Sequence, residues 1–219
     1  MLETLEFYTD ASVKTFPDGR VFSCAGAFNL NTLESSYVIS PDSTNNRGEL
    51  LGIYIALKIA DSIIRRHRKN YKIVIYSDSQ FSVYGLTRWL DGWVKYEREG
   101  LWRGSNGKPV KNQELFKLIM LFIEEHDLTV QFLHCKAHVC LTNNADLQKA
   151  SRTFYESNGY EIRPDEAYKI SYYNNMVDQQ SRKYLENVNP DMYPRVDNDS
   201  KMYVLRGYAP IKYMRSLAC

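Results

Sequence analysis

The chain has 219 residues, and 28 Lys and Arg against 26 Asp and Glu leave a net charge of +2. That balance is too small to announce a polyanionic partner, so any such partner must be met by locally clustered cations. The four cysteines lack a disulfide-scaffold spacing and no apolar run is long enough to span a bilayer, which argues against a secreted disulfide framework and a membrane protein. The opening residues carry no basic-then-apolar signal, so the expectation is a reducing compartment, cytoplasm (or host cytosol) or nucleus, and no secretion.

In chain order, residues 5–9 read as a short strand ending at Asp10. A Pro-Asp-Gly turn follows at 16–20, then strands at 21–30 and 35–40, which together predict an antiparallel meander. Leu50, Ile53, Tyr54, Leu57, Ala60 and Ile64 recur at helical spacing and predict an amphipathic helix over 46–68, with Glu49 in its first turn. Residues 72–76 form a β-branched buried strand, followed directly by Asp78. One or two helices are expected over 80–96, a Gly-rich loop over 97–108, a helix over 112–126 and a strand over 129–135. A short helix is expected to start near Asn174 and close at 183–185. The order β-β-β-α-β-α-α-β-α predicts a mixed sheet with helices packed on it. Residues 139–173 fit no element of this pattern and read as an insertion in a domain spanning 1–186. Residues 187–219 read as a C-terminal extension that could bind a protein partner.

Four acids stand at the boundaries of these elements: Asp10, Glu49, Asp78 and Asp178. Four carboxylates without a Cys/His ligand set suit hard cations such as Mg²⁺ or Mn²⁺, and such sites cleave phosphodiesters. Each residue also has a plainer reading. An Asp after a strand is commonly a turn or cap residue. Glu49 could complement a helix dipole. Trp89 and Trp93, four apart, could both be core. His134 and His138 have a zinc-like spacing, but no second pair completes it.

Taken jointly, the motifs resemble the type 1 ribonuclease H family. The resemblance rests on Thr9-Asp10-Ala11-Ser12, Thr44-Asn45-Asn46-Arg47-Gly48-Glu49-Leu50, Asp78-Ser79-Gln80, the Trp-bearing basic stretch 86–95 closed by 108–112, and Cys135-Lys136-Ala137-His138. The family's last aspartate is matched by Asp178, preceded by Asn174 and Val177. Asp146 is the runner-up, nearer in sequence to His138 but without Asn at that spacing. The resemblance implies an α/β ribonuclease H-like fold: a five-stranded mixed sheet, three antiparallel strands then parallel ones, with helices on both faces. It also implies an endoribonuclease that cuts the RNA strand of RNA–DNA hybrids with two Mg²⁺ ions, Mn²⁺ being accepted too. In that scheme Asp10 touches both metals, Glu49 and Asp78 hold the leaving-group side, and Asp178 the nucleophile side. His138 moves protons or eases product release. Ser12, Thr44, Asn45, Asn46, Gln80 and Asn174 are expected to meet the hybrid, and Trp89, Trp93, Lys95 and Lys108 to grip its DNA strand. A monomer without membrane contact is expected. The rivals are a DNA nuclease of the same fold and a catalytically silent nucleic-acid-binding or accessory protein.

Overall fold

The structure, a computed structural model, describes residues 2–41 and 43–193. Strand β1 (Glu3–Thr15) is much longer than the five residues expected, because it continues past Asp10 in antiparallel pairing with β2 (Val21–Asn29). Strand β3 (Glu34–Pro41) completes the meander. On its other side β1 pairs in parallel with β4 (Tyr71–Ser77), which pairs in parallel with β5 (Thr129–His134). The sheet order is therefore β3-β2-β1-β4-β5. The parallel pairing of β1 with β4 ends at Thr9 and Ser77, so Asp10 and Asp78 both lie one step beyond the same ladder.

Alternate side chains of a strand face opposite sides, and here both sides are covered. Leu5, Phe7, Ile73 and Ile75 enter one core with α1 (Asn45–His67) and α4 (Gln113–Glu125). Tyr8, Val74 and Leu133 enter a second core with α5 (Asn144–Asn158) and α6 (Pro164–Glu186). Thr44 caps α1 by accepting a bond from Arg47 N, and the helix ends at Arg68 in a left-handed conformation, φ 52°. Glu49 falls just past the first turn rather than in it.

Two glycines set how closely α1 approaches the sheet. A Cβ at Gly48 would lie 2.7 Å from Ala11 Cβ, and one at Gly52 would lie 3.0 Å from Gly26 O. Helix and strand backbones are nearly in contact here, which carries Glu49 down to the Asp10 level.

The segment after β4 is continuous: α2 (Gln80–Tyr84), a π-helical turn (Gly85–Trp89) and α3 (Leu90–Lys95). The stretch 139–173 contains α5 and the first half of α6. Helix α6 begins at Pro164, ten residues before the expected start near Asn174, with Glu166 accepting a bond from Arg163 N as a cap. Residues 194–219, most of the expected C-terminal extension, lie outside the described residues. Among the described residues no helix is long and apolar enough to cross a membrane.

Candidate active site

The acids meet where β1 and β4 leave their parallel ladder, between the start of α1 and the middle of α6. Asp10, Glu49 and Asp78 each offer a carboxylate oxygen within 4.8 Å of the other two. Glu49 also accepts a bond from Ala11 N at 3.2 Å, which ties α1 to β1 beside Asp10. Asp178 joins this group from α6. Its Oδ1 accepts bonds from Ser12 Oγ at 3.2 Å and Arg182 Nε at 2.8 Å, and His138 Nδ1 lies 3.5 Å from its Oδ2.

A cleft of about 590 Å³ opens over the acids. Its walls include all four carboxylates, with Ser12, Asn45, Asn46, Gln80 and His138. His138 is held at a positive φ of 49° with its side chain largely exposed.

The remaining expected residues lie elsewhere. Thr44 caps α1 and does not line the cleft. Asn174 is buried, and its Nδ2 donates to Asp78 Oδ2 at 3.2 Å, so it orients an acid from behind instead of facing a ligand. Trp93 is a core residue: its ring packs edge-on against Phe116, centroids 5.1 Å apart, which leaves no face for a nucleic acid. Trp89, by contrast, is 39% exposed. Lys95 and Lys108 are exposed but outside the cleft. Asp146 sits in the first turn of α5, 3.7 Å from Lys149, also outside it.

Arg182 is the charged cleft residue, among the described residues, that sequence reasoning missed. Its signal was the i, i+4 spacing from Asp178 on one helix, which places opposite charges side by side.

Burial and crowding set the electrostatics of Asp10, Glu49 and Asp78. Burial first, then the negative charges of Asp78 and Asp178, hold the Asp10 carboxyl well above the usual carboxylate range. Burial, then Asp10 and Asp78, does the same to Glu49. Burial raises Asp78 as well, while the bond from Asn174 pulls it back. Asp10 Oδ2 and Glu49 Oε2 are buried with no hydrogen-bond partner among the described residues. Buried polar atoms are normally satisfied. Carboxylate oxygens gathered within 4.8 Å of one another, two of the carboxylates being buried and incompletely hydrogen-bonded, are what a divalent cation with oxygen ligands requires, so the residues present fit such an ion.

The comparisons with known proteins agree with this geometry. The family model described as RNase H matches residues 3–186. The chain is 31% identical over 145 residues to a protein named Ribonuclease H from Hahella chejuensis, covering 66% of this chain and 90% of that one. It is 30% identical over 135 residues to Ribonuclease HI of Haemophilus influenzae, covering 61% and 79%. In fold it resembles a foamy viral protease-reverse transcriptase solved in complex with RNA/DNA hybrid, with TM-score 0.50 and 14% identity; the match spans 82% of this chain and 19% of the viral one. With its sheet order, its acidic centre and these relatives, the chain belongs to the ribonuclease H family and is a nuclease of the ribonuclease H type.

Proposed function

We propose that this nuclease hydrolyses the RNA strand of RNA–DNA hybrids with two bound Mg²⁺ ions, Mn²⁺ serving as a substitute. The observation that carries the reading is the trio of carboxylates within 4.8 Å of one another, two buried and one half-buried, where Asp10 and Glu49 each keep an oxygen that accepts no N–H or O–H bond among the described residues, at the floor of an open cleft. Asp10, Glu49, Asp78 and Asp178 would hold the cations. When bound, two divalent cations supply a nucleophilic hydroxide and stabilise the leaving oxygen.

The chain's own residues set the rest. Asn45 and Gln80 flank the acids from α1 and α2, and their exposed side-chain amides can hydrogen-bond base edges in the minor groove. To Glu49, whose carboxylate accepts bonds from Asn45 Nδ2 and Ala11 N, we assign the sensing of the 2′-hydroxyl that distinguishes RNA from DNA. His138, on a turn and paired with Asp178, can carry a proton between the cleft and solvent. Exposed Trp89, Lys95 and Lys108 form the surface we assign to the DNA strand.

We further infer a catalytic domain spanning 1–186 in which 139–173 is the added segment. A reducing compartment fits the free thiols of Cys24, Cys135 and Cys140.

The test is cleavage of a labelled RNA–DNA hybrid beside matched RNA–RNA and DNA–DNA duplexes, in Mg²⁺ and in EDTA. Metal-dependent loss of the hybrid's RNA strand alone is the expected result. Equal cutting of the DNA duplex would overturn the substrate assignment.

A further inference from the structure

Helix α5 ends on Ser157 and Asn158, and both grip His134, the last residue of β5. The side chain of Asn158 pairs with the backbone of His134 as a neighbouring strand would. Its Oδ1 accepts from His134 N at 3.0 Å and its Nδ2 donates to His134 O at 2.8 Å. Ser157 Oγ lies 2.8 Å from the ring Nδ1 of the same residue.

The groups around the ring set its tautomer. Tyr84 donates its hydroxyl hydrogen to Ser157 Oγ at 3.0 Å. His134 Nε2 lies 3.2 Å from the backbone oxygen of Asp78, which can only accept, so this nitrogen carries the ring proton. In a neutral ring Nδ1 then accepts, and Ser157 Oγ, 2.8 Å away, has a hydrogen to donate to it. Arg88 reinforces the junction, donating to Ser157 O while its guanidinium sits 4.1 Å from the Tyr84 ring centroid.

We propose that His134 is a positioning residue of the nuclease site: helix α5 holds it as the Nε2–H tautomer, and its donated bond fixes the backbone of Asp78. Asp78 is then held twice, at its backbone oxygen by His134 and at its carboxylate by Asn174. Strand pairing stops at Ser77, so neither restraint comes from the ladder. The segment 139–173 thereby acquires a role: it carries the brace that stiffens one acid of the site. This inference rests on the reading of Asp78 as a metal-holding acid.

The experiment compares wild type, Asp78→Asn, His134→Leu, His134→Gln and Ser157→Ala. It measures steady-state hybrid cleavage and, separately, the Mg²⁺ concentration that gives half of the cation's rise in melting temperature. Loss of an outer partner of a metal ligand costs about 10–100-fold in metal affinity or activity. His134→Leu should show that loss in kcat with KM little changed, and should need more Mg²⁺ for stabilisation. Ser157→Ala should move both readouts the same way, less far. His134→Gln, whose amide can donate from the same place, should recover most of both. Leu and Gln variants that both match wild type, or are equally impaired, overturn the proposal. If the Leu variant does not fold, a long-range ¹H–¹⁵N spectrum of wild type decides it: a His134 proton on Nε2 supports the brace, and one on Nδ1 overturns it. Wild type that leaves the hybrid intact would sink the substrate reading, while the Mg²⁺ titration and the spectrum still test the brace.

Discussion

Asp10 sits under opposing demands. Its carboxylate is buried beside two other acids, yet one of its oxygens accepts no N–H or O–H bond among the described residues. A protein selected for stability alone would place an amide here. We therefore predict that Asp10→Asn raises the melting temperature of the metal-free protein by several degrees, at about 2–4 °C per kcal/mol for a chain of this size. The same variant should lose the stabilisation by Mg²⁺. A melting temperature below wild type in EDTA would contradict this reading. A second prediction concerns Gly26, which stands opposite Asp10 in register and faces α6. A Cβ there would lie 2.5 Å from Tyr37 Cε1 and 2.8 Å from Val177 Cγ1. Gly26→Ala should cost about 1–3 kcal/mol by overpacking, measured by denaturant unfolding, and should disturb Asp178, the residue after Val177. The acids were visible in the sequence because each stands in a short motif of its own. His134 was not: it drew attention only as a weak zinc ligand, since Ser157 and Asn158 approach it from a helix more than twenty residues away.

Among the elements that were expected, the two that differ most in extent are β1 and α6, and both carry site residues. Buried positions of α6 recur at 167, 170, 171, 174, 177, 178, 181 and 185, a helical period. Several are filled by Ser, Asn and Asp, so a search for apolar periodicity finds only the end of the helix. The same masking shortens β1, where Thr9, Asp10 and Ser12 are buried polar residues in mid-strand. Polar residues at core positions are the mark of the site, and they are also what hides the elements. Strands β4 and β5 and helices α1 and α4 were legible because their buried faces are apolar. The Trp pair on the helical run after β4 gives a third prediction. Trp93→Ala should destabilise the fold by about 3–5 kcal/mol, as expected for truncating a buried Trp. Trp89→Ala should leave stability nearly unchanged and weaken hybrid binding. Equal effects of the two on unfolding would contradict the separation of core from surface drawn here.

For the whole molecule, the raised carboxyls tie stability to pH and to metal. In the unfolded chain these acids titrate near their ordinary values, about 4. In the folded, metal-free protein Asp10, Glu49 and Asp78 hold their protons to higher pH. Between those values the folded state binds more protons than the unfolded one, so stability falls as pH rises. The contribution is intact at and below the unfolded values and is lost as pH passes through the raised folded ones. A fourth prediction follows: in EDTA the melting temperature drops as pH rises from about 4 toward neutrality, and saturating Mg²⁺ flattens that drop. A flat profile in EDTA would mean that burial and the neighbouring charges do not hold these acids above their ordinary values. The same burial and crowding of carboxylates, relieved by a cation, is what the activity should depend on. The direct measurement is hybrid cleavage in Mg²⁺ by wild type, Asp78→Asn, Asp178→Asn and Asp146→Asn. Loss of a metal-holding acid removes several kcal/mol of transition-state stabilisation, about three orders of magnitude in rate. We expect Asp78→Asn and Asp178→Asn to fall that far while Asp146→Asn stays near wild type. Full activity in Asp178→Asn, or loss in Asp146→Asn instead, would contradict the four-acid site described here.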